Sequence, residues 1–360
     1  MKTRRSRLNR LRLLFSGSGV DALLVTHLPN INYLCGFTGS AGLLLVELHR
    51  ATLVTDSRYT FQCREEVSGA TVRIAANGLV RATGDLLRGL RGGAHVAYPA
   101  SQVTVAQKRA LAAAAGSKVR WTAGKNEVER LRAIKDEAEL EVIREAARLI
   151  TDVWTRAAAQ MRLGQTELGV AAKMEYEMKM RGASGPSFET IVASGARSAW
   201  AHARATSKLL RKNELVVMDQ GAILRGYCSD MTRTVFLGRP PDRVRRLYSA
   251  VLEAQQAAKT AIRPGIRAGD VDAAARKTLE KFKLGQYFTH STGHGLGMEV
   301  HEMPRLARGE SFVLEEGMVI TVEPGVYIGG LGGIRIEDDV VVTSRGAQDL
   351  TSATREFLEI

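Results

Sequence analysis

The sequence predicts a two-domain α/β (α+β) protein, an alternating helix and strand domain followed by a domain that opens on a long helix and continues as β-rich segments interrupted by helices. Three observations predict it. The chain has 360 residues, more than the roughly 250–300 at which a single hydrophobic core stops growing. Its first third alternates helix-like and strand-like stretches. After Gly185 and Pro186 the texture changes to β-rich segments separated by glycine turns. Apolar residues at 45% and charged residues at 25% are globular averages, which exclude disordered, collagenous and disulfide-scaffold classes.

Residues 4–18 read as an amphipathic helix ended by Gly19, 22–26 as a short buried strand, and 42–47 with 51–55 as paired strands around a turn. A helix over 58–67 and strands at 72–75, 95–98 and 118–121 complete the first domain, expected to span residues 1–122. It contains no cluster of acids and histidines resembling a metal or catalytic site. Residues 126–161 read as one long helix that opens a second domain, 123–360, with Glu127, Glu129, Arg130, Lys135, Glu137 and Glu139 on its polar faces. Further helices are expected over 167–180, 242–261 and 271–282. No repeat of solenoid period is present.

The net charge is +13, from 51 Lys and Arg against 38 Asp and Glu, which invites a polyanion-binding reading. The distribution argues against nucleic acid. Lys2, Arg4, Arg5, Arg7, Arg10 and Arg12 precede the first acid at Asp21, the remaining excess is scattered, and a solvated basic face is the expectation. Cys35, Cys63 and Cys228 form no CxxC and suggest no disulfide framework, so a reducing cytoplasm is the expected home. The apolar run Leu13 to Phe15 is far shorter than a signal h-region, and no apolar run of about 18 residues offers a membrane span.

The chemistry concentrates in the second domain, where His202, His290, His294 and His301 lie amid Asp219, Asp230, Glu323 and Glu337. Strand-like stretches 215–223 and 227–237 flank a tight turn at Leu224, Arg225 and Gly226. Asp219 and Asp230 are therefore expected to stand opposite one another in a hairpin, with Cβ atoms roughly 4.5–5.5 Å apart. Stretches 318–323 and 334–342 flank a glycine-rich turn, with Glu323 and Glu337 equidistant from Gly330. Two acid-bearing hairpins suggest internal two-fold pseudo-symmetry. Four carboxylates brought together cannot all stay ionised in a partly dry site unless cations lie between them. With one imidazole they make a mixed N and O donor set suited to Mn, Co, Zn or Fe, and five ligands with bridging carboxylates suit a pair of ions. His294 sits between Gly293 and Gly295, where backbone and substrate are expected to approach closely. An isolated Asp in a strand is ordinarily a surface residue and a lone His a hydrogen-bonded core residue, but five such groups in symmetric hairpins are not an accidental set.

At these residues the sequence resembles the pita-bread metallopeptidases, the Xaa-Pro aminopeptidases and Xaa-Pro dipeptidases (prolidases). The resemblance is carried by Pro186-Ser-Phe-Glu-Thr-Ile-Val-Ala-Ser-Gly195, Asp219-Gln-Gly221, Tyr227-Cys-Ser-Asp-Met-Thr-Arg-Thr234, His290-Ser-Thr-Gly-His-Gly-Leu-Gly297, Val300-His301, Val322-Glu-Pro-Gly325 and Ile334-Arg-Ile-Glu-Asp338. In the first domain it extends to Asn30-Ile-Asn-Tyr-Leu-Cys-Gly-Phe-Thr-Gly-Ser40 and Asp56-Ser-Arg-Tyr59. It implies an amino-terminal creatinase/prolidase-like α/β domain followed by a pita-bread catalytic domain with pseudo-two-fold symmetry. It further implies two divalent metal ions per chain, manganese before cobalt or zinc. Asp219 would chelate one ion, Asp230 and Glu337 bridge both, and His294 and Glu323 hold the other. His202, His290 and His301 match outer histidines that bind the substrate carbonyl and stabilise the tetrahedral intermediate, and Arg335 would hold a ligating carboxylate in place. Ala201 and Ala205 stand where the family usually has prolines, and Gln220 replaces a commonly aromatic or apolar residue, changes expected to bear on the substrate pocket.

The implied reaction is hydrolysis of the Xaa-Pro bond of short peptides with proline in second position. Water between two cations ionises near pH 7 instead of 15.7, an imidazole of His290 or His301 steadies the oxyanion, and Glu323 relays the proton to the leaving proline nitrogen. The resemblance also implies a homodimer whose amino-terminal domains restrict access to the site. The stretches Phe37 to Gly42 and Asp56 to Tyr59 lean toward aminopeptidase action. A strict dipeptidase needs a cation for the free carboxylate of proline, for which Arg204 and Arg335 are candidates. Methionine removal, creatine hydrolysis and a non-catalytic binding module are the rival readings. The extra domain and His290 argue against the first, and the complete ligand set argues against the other two.

Overall fold

The computed structural model describes residues 2–360, with side chains from Arg4 onward, so the Lys2 side chain lies outside the described residues. The chain divides into two compact units, 1–132 and 133–360.

The first unit opens with α1 (Lys2–Phe15), β1 (Ala22–Val25), α2 (Leu28–Cys35), β2 (Leu43–Glu47) and β3 (Ala51–Thr55). It continues through α3 (Thr60–Glu66), β4 (Thr71–Ile74), α4 (Leu79–Arg88), β5 (Ala94–Tyr98), α5 (Val105–Ala115), β6 (Val119–Ala123) and the short α6 (Glu127–Ala133). Its strands form one mixed sheet in the order β4-β3-β2-β1-β5-β6. Ala22, Leu24, Leu45, Val96 and Val119 from the strands and Leu87, Leu111 and Ala115 from α4 and α5 make its core. The basic helix α1 is amphipathic as expected, with Leu8, Leu11 and Phe15 buried. Several of its cations are tied to the unit: Arg4 donates to the Glu66 carbonyl, Arg12 to the Glu47 carbonyl, and Arg7 lies over the Tyr33 ring.

The single long helix expected over 126–161 is two. Lys135 donates its backbone N–H to the Gly317 carbonyl at 2.9 Å, and Ile134 bridges to Met318. Asp136 then caps a fresh helix, α7 (Glu137–Gln160), through a reciprocal box with Glu139. α6 is held by the first unit, where Asn30 donates to Glu129 at 2.7 Å and accepts from Arg132 at 2.6 Å. The division between units consequently falls after Arg132, C-terminal to the residue 122 expected from the sequence.

The second unit repeats one plan twice: two helices, then an antiparallel sheet. The first half has α7, α8 (Glu167–Met180), β7 (Gly185–Pro186), β8 (Ile191–Ser194), β9 (Glu214–Gln220), β10 (Ala222–Leu224), β11 (Tyr227–Cys228) and β12 (Met231–Leu237). The second has α9 (Asp242–Ala261), α10 (Ala268–Lys281), β13 (Gly293–Gly295), β14 (Glu302–Leu306), β15 (Val319–Val322), β16 (Gly325–Ile328), β17 (Gly332–Arg335), β18 (Asp338–Thr343) and β19 (Gly346–Asp349). The central sheets run β12-β9-β8 and β14-β13-β15-β18-β19. Each half has its own core: Ile150, Trp154, Met174 and Met178 lie against Val216, Met218 and Val235 in one, and Val251, Ala254, Val271 and Ala275 against Ile320, Val322 and Val340 in the other. No helix among the described residues is long and apolar enough to cross a membrane. All three cysteines are free and buried, and burial pushes the Cys35 and Cys228 thiols up to about 11 and about 12, away from reactivity.

At the junction of the two halves Arg233, 1% exposed, donates to Asp338 at 2.7 Å and to the carbonyls of Thr354, Ala353 and Glu337. Asp338 also accepts from Gln255, Thr351 and Arg355 and pairs with Lys259. Burial would raise its carboxyl, but Arg233, Arg355 and Lys259 together hold it well below the usual range. Removing one partner of such a buried pair costs about 3–5 kcal/mol. Arg233→Met is therefore expected to lower the unfolding midpoint of the second unit by about 10 °C in differential scanning calorimetry; an unchanged midpoint would show that the junction does not depend on this pair.

Candidate metal centre

The acids reach the junction because the two hairpins end there. In the first hairpin Leu224 pairs with Tyr227 around a two-residue turn, with Arg225 and Gly226 both at positive φ (48° and 83°), as a two-residue hairpin turn requires. The register that follows sets Thr232 opposite Asp219. Asp230 is thus the diagonal neighbour of Asp219, on the same face, rather than directly opposite as expected, because the turn centre lies between 225 and 226. In the second hairpin Val322 pairs with Asp338 and Gly325 with Arg335. Both pairs are symmetric about Gly330, which leaves Glu323 and Glu337 opposed between them as expected. Glu337 is joined to the first hairpin by its N–H to the Thr232 carbonyl at 3.1 Å and by the Thr232 hydroxyl, which donates to its Oε2 at 2.6 Å.

Ligand-type atoms of Asp230, His294 and Glu337 all lie within 4.8 Å of one another. His294 Nε2 is 3.8 Å from Asp230 Oδ2 and 3.5 Å from Glu323 Oε1. Its Nδ1 is 3.0 Å from the Gly295 carbonyl, which assigns the proton to Nδ1 and turns the Nε2 lone pair toward the carboxylates. Asp219 is joined to the group through Arg335, whose Nη2 donates to Oδ2 at 2.6 Å. Asp219 Oδ1 and Asp230 Oδ1 are buried with no hydrogen-bond partner in the structure. Two orphaned carboxylate oxygens beside an imidazole lone pair and two further carboxylates form a set with more acceptors than donors, which fits cations.

Electrostatics repeats the point. Burial, then repulsion by Glu337 and Asp219, raises the Asp230 carboxyl well above its usual range. Glu337 is raised by burial and then by Glu323 and Asp219, and burial pushes Glu323 up to about 7. Burial pushes His294 down to about 4.

A cavity of about 380 Å³ opens on His294 and Glu323 and includes Ala201, His202, His290, His301, Arg305 and Arg335 in its wall. A larger one in the first unit, about 470 Å³, has His27 as the single ionisable side chain in its wall. His301 is exposed and stands edge-on to His294, ring centroids 4.4 Å apart, and His202 is exposed as well. His290 has both ring nitrogens engaged, Nδ1 by the Ser291 carbonyl at 2.8 Å and Nε2 by the Tyr327 hydroxyl at 2.9 Å. Burial pushes it down to about 4, so it is neutral. The loop that carries it is gripped by α10. Asp272 accepts from the Thr292 N–H and hydroxyl at 3.1 and 2.8 Å, and Arg276, paired with Asp272, donates to the carbonyls of Phe288 and His290.

Several details went unread in the sequence. Tyr327 connects His290 with Arg335, which donates to its hydroxyl at 2.7 Å. Asp339 accepts the Asp230 N–H at 2.9 Å; the acidic run Glu337-Asp338-Asp339 was the available signal. The glycines beside His294 make room for backbone rather than substrate: a Cβ on Gly293 would lie 2.0 Å from the Thr321 carbonyl oxygen and one on Gly295 2.1 Å from that of Met303. Gln220 is fully buried and donates to the Ile150 carbonyl of α7, so this departure does not touch the cavity. Ala205 packs on the core beside α7 and α8, and only Ala201 lines the cavity.

A buried array of carboxylates facing one imidazole in the second unit defines a candidate site for divalent metal. Comparison with known proteins gives the family. Residues 141–344 match the model of Metallopeptidase family M24 and residues 7–134 that of the Creatinase/Prolidase N-terminal domain. The chain belongs to the M24 metallopeptidase family, with a creatinase-type amino-terminal domain preceding the catalytic one. An uncharacterized peptidase of Bacillus subtilis, YqhT, is 39% identical over 98% of this chain and 99% of its own length. The structure of an Xaa-Pro dipeptidase from Bacillus anthracis superimposes with a TM-score of 0.94 at 36% identity, over 99% of this chain and all of that one. An X-Pro aminopeptidase from Thermotoga maritima gives 0.87 at 36% identity, over 95% of this chain and 98% of that one.

Because Glu323 is protonated below about 7, an entering cation must displace that proton, whereas His294, neutral above about 4, presents none. Divalent-metal affinity is therefore expected to rise about tenfold or more per pH unit between about 5.5 and 6.5, Asp230 and Glu337 adding protons of their own to be displaced. Calorimetric titration with Mn²⁺ in buffers of different ionisation enthalpy measures both affinity and proton release; a pH-independent affinity would place the metal elsewhere.

Proposed function

We propose that the chain is a dinuclear-metal exopeptidase that hydrolyses Xaa-Pro bonds, with dipeptides as its preferred substrates. The single observation that carries the dipeptide preference is Arg305. It pairs across strands with His294 and lines the cavity, and among the described residues its side chain has no hydrogen bond or ion pair. The two arginines considered from sequence are otherwise engaged. Arg335 is spent on Asp219, Thr232, Tyr327 and the Ala201 carbonyl, and Arg204 lies outside the cavity wall, paired with Glu189 at 3.0 Å. A guanidinium one strand from the ligand set is suited to the free carboxylate of a carboxy-terminal proline.

In this reading Asp219, Asp230, His294, Glu323 and Glu337 would hold two divalent ions, which supply an ionised water near neutral pH and polarise the scissile carbonyl. Manganese is the first ion to test, and the donor set also suits cobalt or zinc. Glu323 accepts a proton on its carboxylate from the attacking water and returns it to the leaving proline nitrogen. His301 and His202, the exposed imidazoles of the wall, face the developing oxyanion. His290 acts behind them by fixing the Tyr327 hydroxyl and, through it, Arg335. Proline has no N–H to recognise, so its carboxylate is the polar handle.

The X-Pro aminopeptidase from Thermotoga maritima, as similar in sequence as the Bacillus anthracis dipeptidase, favours trimming of longer peptides as the second reading. Mn-reconstituted hydrolysis of Ala-Pro, Ala-Pro-Ala, Ala-Ala-Ala and Met-Ala-Ala beside a chelator-treated blank separates the two. Ala-Pro is expected to be cleaved fastest, and Arg305→Gln is expected to raise its KM about fivefold, equivalent to about 1 kcal/mol for a solvent-accessible charge pair. Faster cleavage of Ala-Pro-Ala, unaffected by that substitution, would establish aminopeptidase action, and no metal-dependent cleavage would remove the peptidase reading. Asp230→Asn is expected to abolish turnover and lower metal content measured by plasma emission spectroscopy.

A further inference from the structure

α8 begins Thr166-Glu167, and the cap is supplied by Thr166, whose side chain accepts the Gly169 N–H. The position that would complete a reciprocal box is that glycine, so the helix makes no use of the Glu167 carboxylate for its own cap. That carboxylate is 0% exposed. All of its hydrogen bonds go to the segment between β8 and β9. Oε1 accepts the Ser194 N–H and hydroxyl, each at 2.8 Å. Oε2 accepts the Thr206 N–H at 3.2 Å, the Thr206 hydroxyl at 2.8 Å and Arg197 Nε at 3.2 Å. One buried carboxylate thus takes five donors from both ends of one loop. Arg197 goes on to donate to the Arg204 carbonyl at 2.6 Å, across the same loop.

The loop so closed carries the cavity wall. His202 and Ala201 line the cavity. The Ala201 carbonyl accepts from Arg335 Nη1 at 3.0 Å, and Arg335 Nη2 holds Asp219. The Ser198 hydroxyl accepts the Gly333 N–H at 2.9 Å, two residues before Arg335. Inside the loop the register with β9 ends at Ser194, paired with Val216, so residues 195–206 have no ladder to position them. The other half of the unit uses the same device on α10, where Asp272 accepts an N–H and a hydroxyl from Thr292 and pairs with Arg276.

We infer that Glu167 is a positioning residue for the peptidase site, clipping the base of the 194–206 loop so that His202 faces the cavity and the Ala201 carbonyl meets Arg335. The inference rests on the peptidase reading proposed above. A carboxylate is needed because every partner is a donor. Glutamine presents an amide nitrogen to at least one of them and so sets donor against donor.

The test uses the full chain, loaded with Mn²⁺, as Glu167→Gln, His202→Ala and the double variant. Amide hydrogen exchange within residues 194–206 is expected to rise at least about tenfold in Glu167→Gln, with exchange in α9 and α10 unchanged. kcat/KM for Ala-Pro is expected to fall about 30-fold, and the double variant to lose less than the product of the two single losses, since the lesions share the His202 part of one loop while the Ala201 contact with Arg335 is lost through Glu167 alone. Glu167→Asp, which keeps the charge but loses one methylene of reach, is expected to fall between wild type and Glu167→Gln. Unchanged loop exchange in Glu167→Gln, or losses that multiply in the double variant, would overturn the inference. If Glu167→Gln does not fold, Thr206→Val removes one donor only. It is then expected to speed loop exchange about threefold and lower kcat/KM about fivefold, and no change in either would overturn the inference equally. Should the wild type show no Xaa-Pro hydrolysis, the peptidase reading fails on that observation, and with it the site role assigned to Glu167, while hydrogen exchange still reports whether Glu167 holds the loop.

Discussion

Mutual repulsion of buried carboxylates is the constraint on which the rest of the second unit depends. Asp230 and Glu337 are 4% and 2% exposed, each is raised by the other acids as well as by burial, and Arg335 is the cation that enters the group. One guanidinium cannot offset four carboxylates, and two of their oxygens have no donor at all. An apolar interior would never assemble such a set for stability, because each uncompensated charge costs several kcal/mol to desolvate. The fold therefore has to hold the acids together against their repulsion until cations enter. The Arg233–Asp338 cluster, one residue from Glu337 along the strand and fully satisfied by hydrogen bonds, is the rigid base from which they project.

Strand registers do this work for the ligands. A ladder is set by its turn, and a slip of one residue would send every side chain to the opposite face. Both acid pairs are flanked by ladders whose turns admit few alternatives: positive φ at Arg225 and Gly226 in one, and symmetry about Gly330 in the other. The cross-link between hairpins, from the Glu337 N–H to the Thr232 carbonyl, then fixes one pair against the other. The outer histidines have no such ladder. His202 and His290 come from loops, and each loop is held by an acid on the second helix of its own half, Glu167 in one and Asp272 in the other. Asp219 and His294 sit on strands and Asp230, Glu323 and Glu337 in the short breaks between paired strands, whereas the outer histidines sit on clipped loops.

The sequence was most readable where period and chemistry agreed. α8 and α9 were expected over 167–180 and 242–261 and span Glu167–Met180 and Asp242–Ala261, because their apolar faces repeat at helical spacing between clear caps. Helices α2, α4 and α5 were not read. α2 is eight residues beginning Leu28-Pro29-Asn30, which reads as a turn; α4 carries Thr83 and Gly84 in its middle, poor helix formers; α5 is mostly alanine, which marks no face. The break at Ile134 to Asp136 was hidden because it is set by a backbone hydrogen bond to Gly317, 182 positions away in sequence, and no local pattern encodes a partner at that distance.

The same distinction separates what was legible in the site from what was not. Asp219, Asp230, His294, Glu323 and Glu337 could be found because acids and a histidine in strands are chemically odd, and oddness is a sequence property. The roles of arginines are not odd, and 38 of them compete for notice among the cations of this chain. Arg335 was read as a possible carboxylate binder, yet hydrogen bonds to protein groups occupy four of its five N–H donors, and the guanidinium in the cavity wall with no partner among the described residues belongs to Arg305. What distinguishes the two is the partner each already has, and a guanidinium with no acceptor is visible only when the surroundings are. In the proposed reading, a cation with no internal partner among the described residues, one strand from acids with two orphaned oxygens, also divides the labour of the site: the acids suit metal, and the arginine an anion that arrives with the substrate.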